Sequence, residues 1–182
     1  LWVQHSPSLD RHIALFNQGV MQLNAGDVAG AEHAYRESLV HYPGFAQARI
    51  NLGLLLERKG LYDEAMLEWS QVASAGYLQG ATHVDMQTLA LNHIGRLQEQ
   101  LKRYDLAEYA LTQSLALKPQ QADAIQHWVH LRSKQCKWPA MQALPGVSVN
   151  AMLRGTSPLA MLALHDDPAL QLMAAQSFVQ RK

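Results

Sequence analysis

Residues 46–69 read AQARINLGLLLERKGLYDEAMLEW, and this stretch decides the fold because its spacing recurs along the chain. Five of its residues have a counterpart of the same class 34 positions earlier. The pairs are Asn51 with Asn17, Gly53 with Gly19, Gly60 with Gly26, Ala65 with Ala31 and Trp69 with Tyr35. A fixed period of about 20 to 50 residues is typical of stacked supersecondary units, so the chain is expected to be a repeat array.

A third copy is anchored by Gly95, which lies 42 residues after Gly53 and thus eight residues later than the period requires. Its further matches are Tyr104, Ala107, Leu111, Ser114 and Pro119. The eight additional residues are expected in or near Ala73 to Gln87, as a loop containing Gly76 and Gly80. We expect this loop to be exposed and to be cut early by proteases.

Each copy contains two amphipathic helical patterns with apolar residues three or four positions apart. In the first copy they are Ile13, Phe16, Val20 and Leu23, then Val28, Ala31, Tyr35 and Leu39. The glycine of the first helix and the alanine of the second allow close approach, and the aromatic residue fills the gap beside them. Pro43 and Pro119 follow the second helices and are expected to end them.

These residues resemble the tetratricopeptide repeat, whose signature places a Leu-Gly pair, two alanines, an aromatic residue and a proline at fixed offsets in about 34 residues. The resemblance implies an all-α fold, a right-handed superhelix of helix-turn-helix repeats. The predicted array occupies residues 1–138, with repeats at about 12–45, 46–79 and 88–121 and a degenerate fourth at 122–138. The fourth repeat has Val129 where its glycine is expected.

The remaining residues, 139–182, are predicted to be a linker containing Pro145 and Gly146, followed by two short helices. Ser157 and Asp167 each stand directly before a proline. This is the arrangement of an N-cap residue followed by a proline in the first helical turn.

The tail contains Arg132-x-x-x-Cys136-x-Trp138 and a Ser-Pro-x-x-x-Leu-x-x-x-Asp-Asp-Pro motif over 157–168. Both are similar to the segment that joins repeats to catalytic lobes in bacterial proteins of the O-linked N-acetylglucosamine transferase and SPINDLY family. The resemblance implies that a parent protein continues past Lys182 into a glycosyltransferase that moves a sugar from a UDP or GDP donor to Ser or Thr. None of the family's catalytic residues falls in this chain, and its start at Leu1 suggests a fragment.

Composition limits the kinds of partner. The 182 residues include 15 Lys and Arg against 15 Asp and Glu, so no excess of positive charge favours nucleic acid. Short apolar runs such as Leu159 to Leu164 fall well below the roughly 18 residues needed to span a bilayer, so no membrane contact is expected. The single cysteine, Cys136, fits a reducing compartment, and a cytoplasmic location is expected.

We expect no catalytic, cofactor or metal site in this chain. The glycines form no phosphate-binding loop motif, so no cofactor is predicted. His127 and His130 share a helix face but lack the spacing of a metal site, and we predict no metal. Cys136 could be paired with His130 as a nucleophile, but a small half-buried residue at a turn is the favoured interpretation.

The most informative polar residues are Asn17 and Asn51. In the families that this chain resembles, this position points into the concave face, and a ladder of asparagines there holds the backbone of an extended polypeptide. The third and fourth positions carry His93, preceded by Asn92, and His127, so the ladder is broken, and solvated polar residues are the alternative interpretation. The predicted peptide-binding residues are Asn17, Val20, Asn51, Leu54, Asn92, His93, Arg96 and His127.

Three functions remain open from the sequence. The repeat pattern favours an interaction module that binds a protein or peptide in a concave groove. The tail motifs favour the substrate-presenting arm of a protein glycosyltransferase. A free-standing scaffold or spacer without an enzymatic domain is the third, and the oligomeric state is undetermined.

Overall fold

The computed structural model describes residues 7–74 and 81–180, with side chains described over 11–74 and 82–180. Within those residues the chain forms ten α-helices, which confirms the all-α fold. They are α1 (Pro7–Asn24), α2 (Val28–His41), α3 (Ala46–Arg58), α4 (Tyr62–Ala73), α5 (Ala81–Gln100), α6 (Tyr104–Leu117), α7 (Ala122–Lys134), α8 (Val149–Gly155), α9 (Pro158–Leu164) and α10 (Pro168–Gln180). The chain divides into two compact units, Leu1–Tyr77 and Leu78–Lys182, so the predicted boundary after Trp138 lies inside the second unit.

The first unit contains two helix pairs, α1 with α2 and α3 with α4. Gly26 and Gly60 stand in the turns between the paired helices with φ of 85° and 78°, a left-handed conformation that glycine adopts without steric cost. The equivalent turn of the third repeat has Lys102 at φ 60°. The turn geometry is therefore repeated even where the glycine is not.

Close packing within each pair depends on the repeated glycine of the first helix. A Cβ added at Gly19 would lie 2.6 Å from Cε1 of Tyr35, and one added at Gly53 would overlap the indole ring of Trp69. Trp69 is fully buried, and its Nε1 donates a hydrogen bond to the Ile50 carbonyl at 3.3 Å. The predicted register of glycine against aromatic residue is therefore present in both repeats.

The second unit begins with the third helix pair, α5 and α6. Gly95 faces Leu111, and an added Cβ would lie 3.0 Å from Cγ of that leucine. Because α5 already starts at Ala81, residues 81–87 of the predicted insertion are helical and not a loop. Gly76 and Gly80 lie outside the described residues.

The fourth repeat departs from the pattern after its first helix, α7. Residues 135–148 are irregular, and α8, inside the predicted linker, packs against α7. Met141, Val147 and Met152 from this stretch are buried in the core of the second unit. The predicted linker therefore contributes side chains to the core of the second unit.

The two tail helices begin where the N-cap motifs predict. Ser157 Oγ accepts a hydrogen bond from Ala160 N at 3.2 Å before α9, and Asp167 Oδ1 accepts one from Ala169 N at 2.8 Å before α10. The first is short, with 7 residues, whereas α10 extends over 13. In the described parts of the chain, none of the helices has both the length and the apolar character to cross a bilayer.

Candidate functional site

Four of the predicted peptide-binding residues lie on the first helices of the first unit. Asn17 is exposed on α1, with Val20 one turn later and half-buried. Asn51 and Leu54, at the equivalent positions of α3, are both half-buried. Each asparagine therefore shares a helix face with an apolar residue three positions on.

The two asparagines differ in their contacts. The Nδ2 of Asn51 donates a long hydrogen bond of 3.4 Å to the hydroxyl of Tyr35. Burial raises the pKa of the Tyr35 phenol, and the bond from Asn51 opposes that shift. For Asn17 no side-chain hydrogen bond is found within the described part of the chain. Asn17 is thus open to a partner, and Asn51 is only weakly engaged.

In the second unit Asn92 serves the structure of the chain itself. Its Nδ2 donates to Oε1 of Gln121 at 3.0 Å. Gln121 in turn donates from Nε2 to the carbonyl oxygens of Ser114 and Lys118, at 3.1 and 2.7 Å. Asn92 thereby fastens the turn between α6 and α7. On the same helix, His93 is half-buried and Arg96 is exposed.

His127 lies in a cluster of polar side chains with Glu99, His130 and Lys134. Its Nε2 lies 2.5 Å from Oε2 of Glu99, whose other oxygen lies 3.2 Å from Nζ of Lys134 and 3.7 Å from Nε2 of His130. Although burial of Glu99 works to raise its pKa, the hydrogen bonds from His127 and Lys134 outweigh that effect and lower it. The interpretation of His127 as a merely solvated residue is therefore wrong.

Glu99 was missed by the sequence reasoning because its partners lie 28 and more residues away on another helix. No local motif marks such a pairing. Only a periodic search for opposite charges on successive first helices could have found it.

The tail motif residue Arg132 anchors the segment that follows α7. Its guanidinium donates to Glu108 Oε1 at 2.8 Å, to the Pro139 carbonyl at 3.2 Å and to Gln142 Oε1 at 3.2 Å. It also stacks 4.9 Å from the ring centroid of Trp128. These contacts within the chain explain why an arginine stands at position 132.

Cys136, from the same motif, is exposed and has φ 54° in the turn after α7, so the expectation of a half-buried side chain is wrong. No group of three or more metal-binding side chains converges in the described residues.

Two of the clefts in the described part of the second unit lie beside α7. The α7–α9 cleft, of about 390 Å³, is lined by Asp123, Gln126, His127, His130, Ser157 and Ala160. The α7–α8 cleft, of about 450 Å³, is lined by Pro119, Gln120, Gln121, Ala122, Ile125, Gly146, Ser148, Ala151, Arg154 and Gly155. Clefts of roughly 300–1,000 Å³ are the usual size of small-ligand sites.

Comparison with solved structures finds the same fold in several proteins. A tetratricopeptide repeat protein from Parabacteroides merdae is 14% identical over 94% of this chain, with a TM-score of 0.64. The present chain covers 60% of that protein's length. The MamA protein is 18% identical over 94% of this chain and 90% of its own, with a TM-score of 0.58. The pilF protein of Pseudomonas aeruginosa is 17% identical over 97% of this chain and 71% of its own, with a TM-score of 0.59.

The family comparison agrees with the helix pairs and the glycine register. Two models, both described as the tetratricopeptide repeat, match residues 16–77 and 89–121, together more than half of the 182 residues. No curated protein matches the sequence. On the family match and the fold, this chain belongs to the tetratricopeptide repeat family.

Proposed function

We propose that this chain is a protein–protein interaction module that binds an extended segment of a partner polypeptide along its first helices. The observation that carries the proposal is in the first unit, where Asn17 and Asn51 occupy the same position of two successive repeats. Asn17 is exposed, Asn51 makes only a 3.4 Å bond, and each has a half-buried apolar neighbour, Val20 or Leu54.

The chemistry of these pairs suits an extended peptide. A carboxamide donates and accepts together, so it can pair with a peptide unit whatever side chain that unit carries. The half-buried faces of Val20 and Leu54 offer apolar contact to the partner's side chains. Backbone pairing then supplies affinity and the apolar contacts supply preference, as in other recognition of extended peptides.

The test is the double variant Asn17→Ala with Asn51→Ala, measured against a peptide selected from a displayed random library. Each lost amide pairing is worth about 0.5–1.5 kcal/mol, so affinity should fall roughly fivefold to a hundredfold. The melting temperature should change little, because neither side chain lies in the core.

The matched control is Gln71→Ala with Gln113→Ala, two exposed amides on the second helices α4 and α6. Binding should survive that change. If binding instead ignores the asparagine variant and is lost in the glutamine variant, the partner binds the second-helix surface and the proposal fails. If no peptide is selected at all, the spacer function takes its place.

The tail motifs support a finer proposal, that the parent protein is a glycosyltransferase of the O-linked N-acetylglucosamine transferase and SPINDLY type. Ser157, Asp167 and Arg132 match that pattern, but their capping and ion-pair contacts also explain them without catalysis. Sequencing the gene beyond Lys182 tests the proposal directly. If the downstream region lacks nucleotide-sugar-binding lobes, the glycosyltransferase proposal fails and the scaffold interpretation takes its place.

We also propose a cytoplasmic location, because the single exposed thiol of Cys136 fits a reducing compartment. Fractionation of the source cells with an antibody against this chain tests it. Recovery from an oxidising compartment would contradict it.

A further inference from the structure

The α7–α9 cleft has one wall on α7 and the other at the start of α9. Asp123, Gln126 and His130 stand three and four positions apart on α7, so they share one face of that helix. The opposite wall is held by the core of the second unit. Met161 of α9 is fully buried there, and Thr156, only 1% exposed, donates from Oγ1 to a backbone carbonyl of α8 at 2.7 Å. Both walls are therefore fixed by packing.

Asp123 brings to this cleft a carboxylate without a partner in the described part of the chain. It is exposed in the first turn of α7, and neither a hydrogen bond nor an ion pair of its side chain is found among the described residues. The first turn of a helix stabilises a negative charge, and this effect leaves the carboxylate oxygens free to accept hydrogen bonds.

The acidic residues of the two preceding helices, α5 and α6, are by contrast all paired. The pairs are Asp85 with Lys118, Glu99 with His127 and Lys134, Asp105 with Lys137, and Glu108 with Arg132 and Lys137. Asp123 thus differs from these residues in having its charge available to a ligand.

The other polar groups of the cleft add hydrogen-bond acceptors. Gln126 is half-buried, and no hydrogen bond of its amide is found within the described residues, so its carbonyl oxygen can accept. Ser157 Oγ accepts one backbone N–H, at 3.2 Å, and has a second lone pair. Among the described residues that line the cleft there is no Lys or Arg. The two histidines lie beside the Glu99 carboxylate, with Nε2 of His127 at 2.5 Å and Nε2 of His130 at 3.7 Å from its oxygens.

We propose that the α7–α9 cleft binds the guanidinium of an arginine side chain that belongs to the partner polypeptide. A guanidinium has five N–H donors and no acceptor, and its planar fork pairs two of the donors with one carboxylate, here that of Asp123. Gln126 and Ser157 offer acceptors to the remaining donors. The aliphatic stem of the arginine packs on apolar surface, which the half-buried Ala160 supplies. This inference rests on the proposed function only for the source of the arginine, a bound polypeptide.

The experiment titrates the full ¹⁵N-labelled chain at low ionic strength with N-acetyl-arginine methylamide and, separately, with N-acetyl-citrulline methylamide, followed by amide chemical shifts. Citrulline keeps the shape of arginine but carries a neutral urea in place of the guanidinium. The arginine probe should cause saturable shifts at Asp123, Gln126, His130 and Ala160. The citrulline probe should bind at least about tenfold more weakly, because it lacks the charge. Equal binding of the two probes, or shifts confined to other residues, would overturn the proposal.

Two variants test the lining of the cleft. Asp123→Asn keeps the size of the side chain, removes its charge and should weaken binding of the arginine probe at least about tenfold. Ala160→Leu should fill the apolar wall and abolish the shifts while the carboxylate stays. The matched control is Asp63→Asn, an exposed aspartate in the first turn of α4, which should bind the probe as the parent chain does. Unchanged binding in a folded Asp123→Asn or Ala160→Leu variant would exclude this cleft, and if one fails to fold, the other decides.

The cleft and the asparagine contacts can be tested separately. Asn17→Ala with Asn51→Ala should bind the arginine probe as the parent chain does, since both residues lie in the first unit. A library-selected peptide that contains arginine should lose affinity at least about tenfold when citrulline replaces its arginine, and this loss should disappear in Asp123→Asn. If the loss is the same in Asp123→Asn, the arginine is bound elsewhere and this inference fails, even where the asparagine contacts hold.

Discussion

At the scale of single residues, the glycine in each first helix is matched to the size of the side chain opposite. Gly53 faces the indole of Trp69, which leaves no room for a methyl group, whereas Gly95 faces the smaller Leu111 at a contact of 3.0 Å. Helix propensity alone would make the replacement of glycine by alanine stabilising by about 1 kcal/mol at either site. Helix propensity therefore favours the change to alanine, whereas packing opposes it. Of the two sites, only at Gly53 should the packing cost exceed the gain in propensity.

The prediction is that Gly53→Ala lowers the free energy of unfolding by about 1–3 kcal/mol, the usual cost of overpacking. The matched variant Gly95→Ala should be much less costly, because its leucine neighbour can shift by a few tenths of an ångström. Urea denaturation of both variants measures the difference. Greater stability of Gly53→Ala than of the parent chain would show that the repeat register is wrong.

A second residue-scale prediction concerns Lys102, which adopts φ 60° where Gly26 and Gly60 stand in the earlier turns. A side chain with a Cβ in this left-handed conformation costs roughly 1–2 kcal/mol. Lys102→Gly should therefore stabilise the second unit by about 0.5–1 kcal/mol, after the greater chain entropy of glycine is subtracted. Thermal melting checks it, with Lys118→Gly outside the turn as a destabilising control.

At the scale of elements, α6, α7 and the segment after α7 are joined through Glu108. This carboxylate accepts from Arg132 at 2.8 Å and from Lys137 at 2.8 Å, and the side chains of Arg132 and Glu108 are 12% and 14% exposed. Hydrogen bonds to charged groups contribute about 1.5–3 kcal/mol. Arg132→Ala should therefore cost about that much stability and loosen residues 139–142.

The check is urea denaturation together with hydrogen exchange of the Ala140 and Met141 amides, which should become faster. Arg103→Ala is the control, since Arg103 makes no side-chain capping bond to α6. Equal losses of stability in the two arginine variants would show that the Glu108 contacts contribute nothing.

The carboxylates of Glu108 and Glu99 make the stability of the folded chain depend on pH. In Glu108, as in Glu99, burial raises the pKa, but hydrogen bonds from basic partners, here Lys137 and Arg132, outweigh it and lower the pKa. A folded pKa below the unfolded value gives stability that is present above the unfolded pKa, about 4.3 for glutamate. That stability is lost as the pH falls through the lower folded value.

We therefore expect the free energy of unfolding to fall as the pH drops below about 5. The double variant Glu99→Gln with Glu108→Gln should be less stable than the parent chain at pH 7, and its free energy of unfolding should fall less steeply as the pH is lowered. A fall as steep as that of the parent chain would mean that other carboxylates carry the acid sensitivity.

At the scale of the whole molecule, the chain comprises two compact units, Leu1–Tyr77 and Leu78–Lys182. The second has a buried core that joins α6 and α7 to the tail through residues such as Leu111, Trp128 and Met152. We predict that a fragment of residues 78–182 folds alone, with a single cooperative transition by circular dichroism. A fragment without cooperative melting would show that the second unit depends on the first.

The sequence by itself determined the repeat and its register. A glycine must face a large side chain within each of the first three helix pairs, and this requirement recurs after 34 residues at Gly53 and after a further 42 at Gly95, so it is visible without coordinates. The N-caps Ser157 and Asp167 were predicted for a similar reason, because a cap acts on backbone groups two or three residues away.

Only the tertiary structure decided what the polar residues contact. Asn92 and His127 stand at or beside equivalent groove positions, yet their side chains are engaged by Gln121 and Glu99, 29 and 28 residues away. It also decided that the predicted linker holds α8 and a cleft, because burial of Val147 and Met152 depends on the surface that α7 offers. Local patterns act through the backbone of one helix, whereas these contacts depend on which helices the fold brings together.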